Sequence, residues 1–139
     1  MHRTQLGQSG IEVSAYCLGT MTFGTHTPDA EAFRQLDASL DAGIDFLDTA
    51  EMYPVIPVKT ETIGLTEEVI GRWVAAGGRR NDYVIATKCL GPNGFIRDNR
   101  PVDGATIREA CEASLRRLQT DVIDLYQLHW PNRDTYHFR

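Results

Sequence analysis

Asp103-Gly104-Ala105-Thr106-Ile107-Arg108-Glu109-Ala110-Cys111-Glu112-Ala113-Ser114-Leu115-Arg116-Arg117-Leu118, followed shortly by Val122-Ile123-Asp124-Leu125-Tyr126-Gln127-Leu128, is the stretch that decides the fold. In its first part Ile107, Ala110, Cys111, Ser114, Leu115 and Leu118 recur at spacings of three and four, with Arg108, Glu109, Glu112, Arg116 and Arg117 largely outside that stripe. This is the pattern of a helix with one buried face, and Asp103 stands at its N-cap. The second part is a compact β-branched and apolar run that reads as a buried strand and delivers His129.

The same unit recurs on working outward. Asp82 to Thr87, centred on Tyr83-Val84-Ile85, reads as a strand running into Lys88. A helix before it carries Val69, Ile70, Trp73 and Val74 on one side and closes at Gly77-Gly78. Ile44-Asp45-Phe46-Leu47 reads as a strand ending at Asp48, and the connection from Thr49 to Leu65, with Pro54 and Pro57, is long enough to be a functional loop. Ahead of it, Thr27-Pro28-Asp29 offers an N-cap, a first-turn proline and an acid to a helix with Phe33, Leu36 and Leu40 on one face and Gly43 at its end. Tyr16 to Met21 reads as the first strand of the series. Arg3–Leu6 and Ile11–Ser14, joined through Gln8-Ser9-Gly10, read as a short hairpin.

Strands alternating with helices predict an α/β fold with parallel strands joined by crossovers. Asp48, Lys88 and His129 lie 40 and 41 positions apart, so one strand-helix unit occupies about 40 residues. Eight such units would need about 320 residues, within the range of closed eight-stranded barrels. Residues 1–139 are therefore expected to hold a hairpin, strands one to four and helices one to three, the N-terminal half of a (β/α)8 barrel with its second half absent.

Fourteen Lys and Arg against 19 Asp and Glu give a net charge of -5, which supplies no basic footprint for nucleic acid or an acidic membrane. No apolar run approaches the ~18 residues of a membrane span, and the N-terminus carries no signal pattern, so the cytoplasm is the expected compartment. Cys17, Cys89 and Cys111 form no CxxC pair and are expected to be reduced and buried.

In a parallel series the loops after the strands gather at one face, so Asp48, Lys88, His129 and, from the long loop, Tyr53 are expected to converge. A phenol titrates near 10 in isolation, and a neighbouring ammonium favours its ionised form, a role open to Lys88. A carboxylate orients the ammonium and an imidazole hydrogen-bonds a carbonyl oxygen, roles open to Asp48 and His129. Taken singly, each has a plain structural reading: a loop cap, a surface phenol, a solvated strand end, a core histidine. Together they suit polarising and protonating a carbonyl while hydride arrives at its carbon, and they contain no metal cluster. His26 and His137 read as solvated loop residues, and Arg79-Arg80 as loop surface. Trp130 is open between walling a pocket and packing above the strands.

The runs Cys17-Leu18-Gly19-Thr20-Met21-Thr22-Phe23-Gly24, Asp48-Thr49-Ala50-Glu51-Met52-Tyr53-Pro54, Ala86-Thr87-Lys88, Ser114-Leu115-Arg116-Arg117-Leu118 and Asp124-Leu125-Tyr126-Gln127-Leu128-His129-Trp130-Pro131 resemble the aldo-keto reductase superfamily. The loop Glu61–Glu67 with Ile70-Gly71-Arg72-Trp73 resembles its bacterial Tas-type subgroup. The resemblance implies an NADP(H)-dependent carbonyl reductase on a TIM-type barrel. It assigns the catalytic tetrad to Asp48, Tyr53, Lys88 and His129, with Tyr53 as general acid, Lys88 lowering its pKa, Asp48 paired to Lys88 and His129 orienting the carbonyl. Thr20, Met21 and Asp48 fall where the family meets the nicotinamide ribose, and Phe23 and Trp130 are candidate pocket residues. The remaining cofactor contacts of the family lie in the second half of the barrel, so this chain alone is expected to be an incomplete enzyme. A regulatory NADP(H)-binding module resembling potassium-channel β subunits is the alternative. The isolated chain is expected to self-associate through its unpaired strand edges.

Overall fold

A computed structural model describes residues 1–132; the reading of His137 as a solvated loop residue lies outside the described residues. The alternation at the N-terminus gives an antiparallel hairpin of β1 (Arg3–Gln5) and β2 (Glu12–Ser14), with Thr4 opposite Val13. Two strands are marginal alone. This pair is fastened to the next layer through Asp45, whose carboxylate accepts the Ser14 N–H at 2.8 Å and pairs with Arg3, while the Asp45 N–H donates to Ser14 Oγ at 3.1 Å.

Four parallel strands follow, β3 (Cys17–Gly19), β4 (Phe46–Asp48), β5 (Val84–Cys89) and β6 (Leu125–Leu128). They alternate with α1 (Asp29–Asp41), α2 (Leu65–Ala75) and α3 (Gly104–Leu118). Their order in the sheet is β3-β4-β5-β6, the order of the chain. A doubly wound sheet reverses direction at a switch point, whereas a barrel adds each strand beside the last. The unbroken order is that of a partial α/β barrel, as the strand spacing implied.

Register fixes which side chains share a face. Gly19 pairs with Asp48, Asp48 with Ala86, and Lys88 with Gln127, so Asp48 and Lys88 project from one face. Leu47, Ile85, Thr87 and Cys89 alternate to the other face and are all buried. There Leu36 of α1, Val69, Ile70 and Trp73 of α2, and Leu118 of α3 close over Leu47 and Ile85 as one core. Each such apolar side chain contributes about 1.5–3 kcal/mol, against about 0–1 for an exposed ion pair, so burial holds the helices to the sheet.

Local details depart from the sequence reading. Thr27 does not cap α1; its Oγ1 is bonded to Thr22 Oγ1, and Pro28 occupies the N-cap position without a side-chain bond. Asp103 does cap α3, accepting the Thr106 N–H at 2.8 Å. The strands are shorter than expected, with Tyr16 and Val122 outside them and exposed, and Asp82 in a short 3-10 turn. Cys17 is exposed rather than buried, because β3 is an edge of the sheet among the described residues; Cys89 is buried and Cys111 half-buried. Arg79 lies at the surface, but Arg80 does not. Its guanidinium is 12% exposed and donates to Asp124, Tyr83 O and Val122 O, stapling the turn before β5 to the start of β6.

The α2–α3 contact leaves no room for a side chain at Gly71, where a Cβ would stand 2.0 Å from the Arg117 carbonyl oxygen. Gly71→Ala is therefore expected to lower the unfolding free energy of the gene product carrying this chain by about 3 kcal/mol, the upper range of overpacking, read as a fall in urea midpoint. Residues 1–139 purified alone are expected to elute in size-exclusion chromatography with light scattering at a multiple of 15.6 kDa, since among the described residues β3 and β6 both present unpaired edges. A monodisperse monomer would contradict that expectation.

Candidate active site

The parallel order carries the C-terminal ends of β4, β5 and β6 to one edge, and the four expected groups meet there. Lys88 Nζ donates to Asp48 Oδ2 at 2.7 Å and to the Thr49 carbonyl at 2.7 Å. The same ammonium lies 5.0 Å from the centroid of the Tyr53 ring. The Tyr53 ring meets His129 edge-on, with centroids 5.7 Å apart and planes at 79°. His129 is placed by its own backbone, whose N–H donates to the Cys89 carbonyl at 2.9 Å.

The electrostatics sort these groups. Lys88 is 14% exposed and Asp48 33%, so the pair is partly screened by solvent on the Asp48 side. Burial pushes the His129 imidazole down to about 4 from its ordinary 6.5, and the Lys88 ammonium acts in the same direction, with Asp48 and Glu51 opposing. His129 is therefore neutral at pH 7, with one ring nitrogen a donor and the other an acceptor.

The remaining expected residues divide. Thr20 is fully buried, and its N–H and hydroxyl both meet the Asp48 carbonyl, at 3.1 and 2.9 Å, so its side chain holds the strand end. Met21 is 38% exposed beside it. Phe23, a candidate pocket residue, is 1% exposed and packs in the core with Leu36 and Val69, and its carbonyl accepts the Thr66 hydroxyl at 2.9 Å. Trp130 stands over Gly91, where a Cβ would lie 2.2 Å from the indole; its ring centroid is 5.2 Å from that of His129. It is joined to the site.

Sequence reasoning missed a chain of buried charges behind this edge. Glu51, 1% exposed, takes both arms of Arg97 at 2.7 and 2.8 Å. Glu67, fully buried, accepts the Thr87 hydroxyl at 2.6 Å and Arg117 Nε at 2.7 Å. The spacing did hold a signal for two of them. Glu67 lies three positions before Ile70, on the apolar side of its helix, and Arg117, though outside the stripe of its own, borders it at three after Ser114 and seven after Ala110. No periodicity marks Glu51 or Arg97, which sit in loops.

Residues 15–138 match the family model described as the aldo/keto reductase family. The chain belongs to the aldo/keto reductase family. Among curated relatives it is 48% identical over 139 residues to Protein tas of Escherichia coli (strain K12), covering 97% of this chain and 40% of that one. It is 46% identical over 140 residues to the uncharacterized oxidoreductase YrpG of Bacillus subtilis (strain 168), covering 97% of this chain and 42% of the relative. Among solved structures it is similar to the aldo-keto reductase AKR11C1 from Bacillus halodurans in its holo form, with a TM-score of 0.72 and 40% identity, covering 92% of this chain and 40% of that one. The chain thus spans about 40% of the length of the relatives it matches. Among the described residues no helix is long and apolar enough to cross a membrane.

The His129 shift fixes a pH dependence. Between its ordinary 6.5 and about 4 the unfolded chain takes up a proton that the folded imidazole refuses, so this residue removes stability as pH falls through that window. The urea midpoint of the parent minus that of His129→Gln is expected to fall between pH 7 and pH 4. The His129 ring resonances should titrate near 4 by NMR, and a midpoint above 6 would contradict the burial argument.

Proposed function

We propose that this chain carries the proton-donating part of an NADP(H)-dependent carbonyl reductase site, reducing an aldehyde or ketone to an alcohol, with Tyr53 as the proton donor. The observation that carries the reading is the Lys88 ammonium, tied to Asp48 at 2.7 Å and set 5.0 Å from the Tyr53 ring, with His129 at the ring's edge. Membership in the aldo/keto reductase family supports it.

The strand ends suit the nicotinamide end of such a cofactor. Asp48 commits Oδ2 to Lys88 yet is 33% exposed, leaving carboxylate surface to accept from a ribose hydroxyl, and Met21, exposed, follows the Thr20 that bonds the Asp48 carbonyl. Bound there, the reduced cofactor supplies hydride to the carbonyl carbon. His129, neutral, donates a hydrogen bond to the carbonyl oxygen and orients it. As negative charge grows on that oxygen, the Tyr53 hydroxyl gives it a proton. Negative charge then left on the phenol is stabilised by the Lys88 ammonium, 5.0 Å from the ring centroid, which Asp48 and the Thr49 carbonyl hold in place.

In the gene product carrying these residues, Tyr53→Phe is expected to lower kcat for NADPH-dependent reduction of 4-nitrobenzaldehyde by roughly 10²–10⁴-fold, the usual worth of a positioned acid. NADPH binding, followed by quenching of protein fluorescence, should stay within about twofold. Tight NADPH binding by the parent without turnover of any aldehyde would instead favour the regulatory-module reading.

A further inference from the structure

Glu51 lies between Asp48 and Tyr53 in the chain and takes no step in the reaction proposed above. At 1% exposure its carboxylate is removed from solvent and surrounded by donors. Arg97 Nη1 and Nη2 meet its two oxygens at 2.7 and 2.8 Å, and the Leu90 N–H donates to Oε2 at 2.9 Å. Its own N–H donates to the Lys88 carbonyl at 3.1 Å, and Arg97 also donates to the Leu90 carbonyl at 3.2 Å. The segment before Tyr53 is thereby pinned to residues 88, 90 and 97.

A second observation points the same way. Arg97, Asp98 and Asn99 have φ of 60°, 47° and 57°, three successive residues with side chains in the left-handed region. Such a run is unfavourable and needs compensation from its surroundings. Here the turn carries the Arg97 guanidinium, 10% exposed, onto Glu51, and the Asn99 N–H onto the Asn93 carbonyl at 2.9 Å. The Tyr53 ring meets Lys88 and His129, and the backbone that carries it fixes how it approaches them. That backbone is anchored by Tyr53 N–H to Ala50 O at 3.0 Å, by Thr66 N–H to Tyr53 O at 3.3 Å, and by the pinned Glu51 between them.

We propose that Glu51, clamped by Arg97, is a positioning residue for Tyr53, setting the segment Thr49–Tyr53 against the end of β5 and with it the phenol against Lys88. The inference rests on the reading that Tyr53 and Lys88 act together. It also makes the β5–α3 loop part of the site, since Trp130 donates to the Pro92 carbonyl on that loop at 3.4 Å.

The test is a pair of variants in the gene product carrying these residues, assayed at a temperature where each is folded. Glu51→Gln keeps the shape and an acceptor for Leu90 but loses the charged fork; Arg97→Met removes the fork from the other side. Each is expected to lower kcat for 4-nitrobenzaldehyde by roughly 10–100-fold, the scale of a misplacement near 1 Å. KM and NADPH affinity should stay within about threefold, the double variant should be no worse than either single one, and Arg97→Lys should recover part of the loss. Lower melting temperatures with unchanged kcat would make the pair merely structural and overturn the proposal. A readout independent of turnover is the ¹³Cζ resonance of Tyr53, identified by its loss in Tyr53→Phe. It should move in both variants, and an unmoved resonance overturns the clamp. A parent without turnover would sink the reductase reading alone, with the resonance still deciding this one. Should Glu51→Gln fail to fold, Arg97→Lys carries the same measurements.

Discussion

The Arg117 guanidinium reaches from α3 to Glu67 on α2, with Nε 2.7 Å from Oε2, and lies 3.8 Å from Glu51 in the loop after β4. Glu67 in turn accepts the hydroxyl of Thr87 on β5. One short chain of charges thus touches two helices, a strand and the loop that leads to Tyr53. Its energetic meaning lies in geometry. Apolar residues of equal volume would often hold such a site as firmly or more so, but a single lost partner would strand a charge in a dry interior. The arrangement therefore penalises any packing in which α2, α3 and β5 are displaced from one another. The absent side chain at Gly71, which lets the Arg117 carbonyl approach α2, belongs to the same arrangement.

From that packing the site follows by topology. A parallel strand must be reached by a crossover, so every strand in the series ends at the same edge. Helix packing fixes how the strands lie, and pairing of Asp48 with Ala86 and of Lys88 with Gln127 then sets the depth of each strand end. A one-residue slip of β5 would send Lys88 to the helix side and Thr87, which serves Glu67, to the site. The buried hydrogen bond of Thr87 and the ion pair of Lys88 are thus two faces of one register, and each resists the slip that would break the other.

This explains what could be seen in the sequence. The helices were legible because their stripes carry the 3.6 period, and the strand ends because Asp48, Lys88 and His129 each follow an apolar run. Asp103 was legible as a cap because an aspartate at that position has a donor three residues on. Thr27 looked alike but found a better partner in Thr22, a tertiary contact that local pattern does not encode. The core placement of Phe23 has a similar origin. It follows the first strand, as pocket residues do, yet the chain turns it back under α2. The order of strands in the sheet followed from the 40-residue spacing of the strand ends, whereas Glu51 and Arg97 were invisible, because loop residues have no period and the two lie 46 positions apart.

The charge states at the site carry the argument one step further. Lys88 and Asp48 form a neutral pair, and His129 is held neutral by its burial and by that same ammonium. On the proposed reading, the site confronts an uncharged carbonyl with no net charge of its own. The negative charge that grows on the carbonyl oxygen then meets a hydrogen-bond donor, a phenol proton and a fixed ammonium, all oriented before the reaction begins. If His129 were charged, it would share that charge with Lys88 and weaken the preference for Tyr53 as the proton source. With Tyr53 as the proposed acid, the low proton affinity of His129 and the tether of Lys88 to Asp48 would work together: one removes a rival acid, and the other fixes the cation beside the acid that remains.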